Sequence, residues 1–414
     1  MKTKKIFNFL LLLGFLSGCD YLDIVPDNLP TLEMAFNNKS SAERFLFTCY
    51  SFVPEHGKIG TDPGMDVGDE VWYYSDNSAD YSNKTTFWIA KGMQNSNEPL
   101  VDYWNGTQWG KAMFVGIRDC NVFIENIEKV PDLSAYDKET WKAEAKVLKA
   151  FYHFWMMRMY GPIPIIKENI PVSAGEDEVR VVRDKIDDIV TYIVSLIDES
   201  VEYLPLNIQN EAAEMGRITR PAAKAIKAKI LAFAASPFFN GNLDYANFKN
   251  AEGEPFFNQV YDNEKWTKAA DACLEAIQCA EEAGHGLYEF VNMSSTQLSD
   301  ETILSLSNRC KVTERWNKEL VWGCGQSGIR DLQVLCQPWL ESNYSSDDRY
   351  HNARNGTFAP TLAVAETFYT KNGVPMDEDK NYDYSKRYTT QVATEADKYY
   401  ICLLYTSPSP RDTR

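Results

Sequence analysis

The 414-residue chain is short of histidine, of basic charge, of closely paired cysteines and of long apolar runs, and each shortage closes off a class of function. Its four histidines, His56, His153, His285 and His351, are widely spaced, and no His-Glu-x-x-His is present to hold a zinc ion for hydrolysis. His153 falls inside an amphipathic segment, where packing or a hydrogen bond is the expected role. Lys and Arg number 42 against 59 Asp and Glu, a formal charge of -17, so the surface should repel phosphate backbones and nucleic acid is not an expected partner. Ser327 is no nucleophile elbow, because Ile329 stands where the second glycine is needed. Carboxylates are plentiful, but sequence does not place two of them the roughly 5 Å apart that a retaining glycosidase requires.

The longest apolar run comes at the start. Ile6 to Leu16 is interrupted only by Asn8 and Gly14 and follows Lys2, Lys4 and Lys5. At eleven residues it is short of the roughly 20 needed to span a bilayer, and the layout is that of a secretory leader over residues 1–18. The leader ends in Leu-Ser-Gly-Cys, which resembles the bacterial lipoprotein box. Cys19 is then the expected lipid attachment site and the first mature residue, and each buried methylene of its acyl chains contributes about 0.8 kcal/mol to membrane anchoring. Loss of the three leader lysines takes the charge from -17 to -20. Of the nine cysteines, none sits in Cys-x-x-Cys spacing, and Cys273 and Cys279 should point to different faces of one helix. Most read as small buried hydrophobes, with one or two disulfides open to an exported protein.

Past the leader the dominant pattern is helical. Trp141, Ala145, Leu148, Tyr152, Trp155 and Met159 recur at spacings of four and three, predicting a helix over 141–161 that Gly161 and Pro162 stop. Further helices are expected over 40–50 behind a Ser40-Ser41-Ala42-Glu43 capping box, over 109–130, 183–203 and 266–283, and after Thr219-Arg220-Pro221. The last of these is rich enough in alanine to admit a close helical neighbour. Trp109-Gly-Lys-Ala, Trp141-Lys-Ala-Glu and Trp266-Thr-Lys-Ala open three of them alike, and Ala150-x-x-x-Phe154 fits a tetratricopeptide helix pair. The expectation is a mainly α, tetratricopeptide-like scaffold with long loop-rich insertions, the largest about residues 54–108.

That insertion is where ligand chemistry concentrates. Between Val71 and Trp109 lie nine aromatics in 39 residues, against 13% for the whole chain. Aromatic faces stack on the C–H face of a pyranose, and Asp, Asn and Arg meet its hydroxyls. Trp72, Tyr73, Tyr74, Trp88 and Trp104 are the candidate sugar-binding residues; Trp316, Trp322 and Trp339 form a second group, from which Trp316 is chosen. Two decoys are set aside. Gly323-Cys-Gly-Gln-Ser-Gly328 satisfies a dinucleotide fingerprint after a strand-like Glu319-Leu-Val-Trp322, but no alternating strands surround it, so it reads as a glycine turn. Asp377, Asp379, Asn381 and Asp383 occupy calcium-loop positions, yet Tyr382 and Tyr388 stand where glycine and glutamate are needed, leaving a solvated acidic loop. No metal or cofactor is expected.

"CDYLD", "SAERFLFTCYSFV", "AEAKVLKAFYHFWMMRMYGPIPII", "GRITRPAAKAIKAKILAFAASPFFNG" and "APTLAVAETFYTKNGVPM" together resemble the SusD/RagB family over residues 19 to about 385. The resemblance implies a SusD-like fold of four tetratricopeptide-like units plus a loop-rich region. It also implies a Bacteroidetes outer-membrane, cell-surface lipoprotein that captures oligosaccharides, or in some branches peptides, for a SusC-like TonB-dependent transporter, without catalysis. The Arg-Asp-Pro-Arg stretch that follows in relatives is missing. Residues 403–414 read as a non-native tail, so the SusD-like domain of residues 19–402 is expected to be C-terminally truncated. The readings from other classes are a surface glycoside hydrolase and a tetratricopeptide-like adaptor that binds only protein or peptide.

Overall fold

The computed structural model describes residues 32–325 apart from 56, 59–61, 69, 74–84, 294 and 296, and residues 358–387 apart from 371. The leader, Cys19, Tyr74, Cys336, Trp339, Cys402 and the tail lie outside the described residues. Among the described residues helix dominates, and strand is confined to one short antiparallel pair, β1 (Val71–Tyr73) against β2 (Phe358–Pro360), with Trp72 opposite Ala359. Neither strand was expected; three residues each are too few for a period-2 pattern to show.

Among the described residues seven helices have twelve or more residues: α1 (Lys39–Tyr50), α2 (Met113–Asn126), α3 (Ala135–Tyr160), α4 (Ile186–Asp198), α5 (Arg220–Ala235), α6 (Glu264–Glu282) and α7 (Asp300–Thr313). Neighbours in the chain are neighbours in space, α1 on α2, α2 on α3, α3 on α4 and α5 on α6, as stacked helical pairs require. The alanine-rich face of α5 does admit a close partner: Ala228 packs on Ala272 and Ala276 of α6. Thr219 caps α5 through its hydroxyl, and Pro221 occupies the first turn, where a missing N–H costs nothing.

Several local expectations shift. Asn38, not the serine pair, caps α1, its side-chain oxygen accepting from the Ser41 amide at 2.9 Å. The three Trp-initiated sequences do not share a helical position: Trp109 precedes α2, Trp141 lies in the second turn of α3, and Trp266 is in the first turn of α6. Glu319 to Trp322 forms turns, not a strand. Helix α7 has no counterpart in the periodicity, because Ser307 is its only buried residue. Cys273 is exposed and Cys279 buried, as their spacing predicts, and the described cysteines carry free thiols.

The single apolar stripe read for α3 understates its burial. Sixteen of its 26 residues are buried, because α1, α2, α4 and α5 surround it. Polar side chains on such a helix need partners inside the protein. His153 finds them in the extended segment after Gly161: its Nδ1 faces the Lys149 carbonyl at 2.8 Å, and its Nε2 accepts from the Ile166 amide at 3.2 Å. Those partners hold a neutral imidazole with the proton on Nδ1. Ile163 and Ile165 of the same segment are held by residue 184, the Asp184 amide donating to the Ile163 carbonyl and the Ile165 amide donating to the Asp184 carboxylate.

Burial pushes the His153 pKa down to about 4 from an ordinary 6.5, outweighing the hydrogen bond to the Lys149 carbonyl, which by itself would raise it. Above pH 6.5 both folded and unfolded chains are neutral at this residue. As pH falls from 6.5 to 4 the unfolded chain takes up a proton that the native one refuses, so stability is lost across that window, by about 3 kcal/mol in full. Urea midpoints measured against pH should fall more steeply through this window in the natural chain than in His153→Gln. Parallel acid limbs would show that His153 is not the group responsible.

Candidate ligand-binding groove

An open groove of about 740 Å³ runs between α1, α5, residues 213–217 and residues 319–325. Phe47 and Tyr50 of α1, Phe151 of α3, Trp322, and the cations Lys111 and Lys229 are among its lining. Volume and lining fall in the ordinary range of small-molecule sites, apolar walls with a few polar groups.

Its floor is set by a buried ion pair. Glu144 lies on the inner face of α3, and the Arg217 guanidinium clasps it with two bonds, Nε to Oε2 at 3.1 Å and Nη2 to Oε1 at 2.7 Å. Two parallel N–H bonds are the strongest arrangement available to this pair of groups. The Tyr50 hydroxyl donates to the same Oε2 at 2.6 Å and accepts from the Ile218 amide at 2.8 Å. Arg217 Nη1 also donates to Glu214 at 2.9 Å, and the guanidinium lies 5.3 Å from the Trp141 ring centre. Burial, then the Glu144 charge, holds the Tyr50 phenol well above its ordinary value, so it remains a donor. Burial by itself would lower Arg217; the Glu144 carboxylate outweighs that and raises it.

The opposite wall is fastened to this floor. Trp322 donates through Nε1 to the Gly216 carbonyl at 3.0 Å and meets Phe151 edge to face at 5.4 Å. Gly323 cannot be replaced without movement, since a Cβ there would lie 2.7 Å from Leu320 and 2.9 Å from Trp316. Trp316, 38% exposed, packs behind Gly323 and is held at a left-handed φ of 53°.

The insertion divides its aromatics between display and packing. Trp72 is 38% exposed on β1 with its edge against Phe87 at 5.2 Å. Trp88 is 45% exposed on the short helix Thr85–Ala90, with the Lys91 ammonium 5.2 Å from its ring centre. Tyr73 belongs to β1, its side chain being outside the described residues with the whole of Tyr74. Trp104 is half-buried, packed between Phe114 at 4.8 Å and Tyr160 at 5.5 Å, with Arg183 over its ring. Trp109, passed over in the sequence, is 62% exposed at φ 71°. The loop beneath it is locked by Asp102, whose carboxylate accepts from the Trp104 and Asn105 amides, the Asn105 side chain and the Thr107 hydroxyl at 2.9–3.1 Å.

Asp379 spends its oxygens on Thr370, Asn372 and the Asn381 amide, which makes 370–381 a carboxylate-pinned turn. Among the described residues no three His, Cys, Asp or Glu side chains come together as a metal site.

The groove-forming residues mostly escaped the sequence reading, which followed aromatics in the insertion. One signal was available: Glu144 sits directly beside Ala145 on the apolar stripe, and a carboxylate there requires a buried cation.

A family model described as SusD-like, starch-binding and associating with the outer membrane, matches residues 20–231. No curated protein matches. Among solved structures, BT4246 superposes with a TM-score of 0.71 at 27% identity, over 88% of this chain and 62% of its own. A SusD-like protein of Bacteroides fragilis, BF3747, gives 0.55 at 16% identity over 82% and 55%, and surface glycan-binding protein A from Bacteroides uniformis gives 0.51 at 16% over 85% and 67%. The last two likenesses concern fold alone. The chain spans less than two thirds of the length of BT4246.

Arg217→Ala should cost about 3–5 kcal/mol in urea denaturation, because it strands a buried carboxylate, and adding Glu144→Gln should recover part of the loss. A cost below about 1 kcal/mol, with no recovery in the double variant, would remove the ion pair from the floor of the groove.

Proposed function

The chain belongs to the SusD-like family, and from that premise we propose that it is a cell-surface lipoprotein that binds oligosaccharides and delivers them to a SusC-like TonB-dependent transporter in the outer membrane. Cys19 carries the acyl anchor, and the helical units present the groove and the insertion to the medium. The observation that carries the reading is the groove itself: aromatic walls from Phe151 and Trp322, amphipathic Tyr50, and fixed charges at its edge, the chemistry that meets both faces of a sugar. Trp72, Trp88 and Trp316 add exposed rings, and Tyr73 and Tyr74 continue the same aromatic run. The family's description as starch-binding and associating with the outer membrane supports the same reading.

Binding without turnover suits the carboxylates that line the groove. Glu214 is engaged by Arg217 at 2.9 Å, and Glu319 accepts the Tyr288 amide at 3.0 Å. Both are committed to holding structure. The natural chain without its leader and with Cys19 removed, run through gels containing single polysaccharides, should be retarded by at least one of them and release no new reducing ends. New reducing ends would make it a hydrolase; transporter capture with no retardation by any glycan would make it a protein adaptor.

A further inference from the structure

The charges of the groove are paired with one exception. Lys111 donates to the Ser51 carbonyl at 2.7 Å and lies 3.7 Å from Glu55. Arg217 is held by Glu144 and Glu214, and Glu319 has the Tyr288 amide together with Lys311 at 3.8 Å. Lys229 has no hydrogen-bond or ion-pair partner among the described residues.

Its place in the sequence makes the exception informative. Ala222, Ala225, Ile226 and Lys229 follow one another at helical spacing and all line the groove, so they form the face that α5 turns toward it. The other two lysines of the exposed side of α5 are paired, Lys224 with Glu275 at 3.8 Å and Lys227 with Asp198 at 2.6 Å. Lys229 is exposed as a residue, yet desolvation of its ammonium and the nearby positive charge of Arg158 lower its pKa, against an opposing pull from Asp62. Asp62 is itself occupied, its two oxygens accepting from the Gly57 and Gly64 amides. Arg158 is also incompletely satisfied: its guanidinium lies 5.1–5.6 Å from the rings of Phe154, Trp155 and Phe233, and its buried Nε has no hydrogen-bond partner among the described residues. Lys229, disfavoured by a neighbouring cation, thus stands in an open groove in a chain of charge -17. The five charged side chains lining the groove, Lys111, Arg217 and Lys229 against Glu214 and Glu319, sum to one positive charge, opposite in sign to the molecule as a whole.

We propose that the groove selects an acidic oligosaccharide, whose carboxylate or sulfate group is received by Lys229 Nζ while a sugar ring lies along the wall formed by Phe151 and Trp322. The inference rests on the oligosaccharide-binding reading and narrows it to a charge class. A neutral glucan would leave the ammonium part-desolvated and unanswered; an anionic sugar removes that penalty on binding.

Calorimetric titration of the leaderless chain with three probes of equal length tests this: an oligogalacturonide, a sulfated galactan oligosaccharide and a malto-oligosaccharide. At least one anionic probe should bind about tenfold more tightly than the malto-oligosaccharide, and its affinity should fall as salt is raised. Lys229→Gln should remove most of that preference and Lys229→Arg should keep it, with circular dichroism unchanged in both. If the malto-oligosaccharide binds as well as or better than both anionic probes, the charge selection is wrong and the oligosaccharide reading stands. If an anionic probe is preferred but Lys229→Gln leaves its affinity unaltered, Lys229 is not the receiving group. If no saccharide binds, both fall together.

Discussion

A carboxylate buried among helices has to be answered inside the protein, and the answer given to Glu144 organises much of what surrounds it. Arg217 neutralises it, Tyr50 donates to it, and the same hydroxyl fixes the Ile218 amide at the entry to α5. Three segments separated by up to 168 residues in the chain are thereby brought to one point. A helix pair that packs by apolar contact alone can slide or rotate by small amounts with little penalty. A bidentate ion pair with a phenol on its remaining lone pair is far less tolerant, because a misplaced partner leaves charge unpaired in a poorly solvated site.

The groove inherits its shape from that point. Gly216 precedes Arg217 and accepts the indole N–H of Trp322, so the wall that carries Trp322 is registered against the residue that clasps Glu144. Gly323 lets the wall fold tightly onto its own Leu320 and Trp316, and Phe151, three turns along α3 from Trp141, supplies the ring that meets Trp322. The result is a concave surface built largely on helices and pinned turns, with its polar groups fixed before any ligand arrives. Such preorganisation spares the binding step much of the entropy of ordering a loop.

How much of this could be read from sequence differs by feature. Helices α1 to α6 announced themselves through the recurrence of apolar residues, and their ends through Thr219-Arg220-Pro221 and Gly161-Pro162, because these signals are local. Helix α7 did not, because a helix with one buried serine leaves no stripe. The exposed rings of Trp72, Trp88 and Trp316 were foreseeable from composition, whereas Trp104 was not separable from them, since only Phe114 and Tyr160, distant in the chain, decide that it packs. The groove was least visible. Lys229 is one of several lysines on α5, and its lack of a partner is a fact about Glu275, Asp198 and Asp62 as much as about itself. Glu144 was the legible clue, an acid on an apolar face, though nothing local identified Arg217 as its cation.

The dependence of the groove on the buried network is the central claim, and residue-resolved hydrogen exchange on Tyr50→Phe measures it most directly. Loss of one hydroxyl should release the Ile218 amide, raising its exchange rate by at least tenfold relative to the amides of α6, and should weaken oligosaccharide binding in parallel. If Ile218 remains as protected as in the natural chain and binding is unaltered, the groove does not take its shape from the Glu144, Arg217 and Tyr50 contacts.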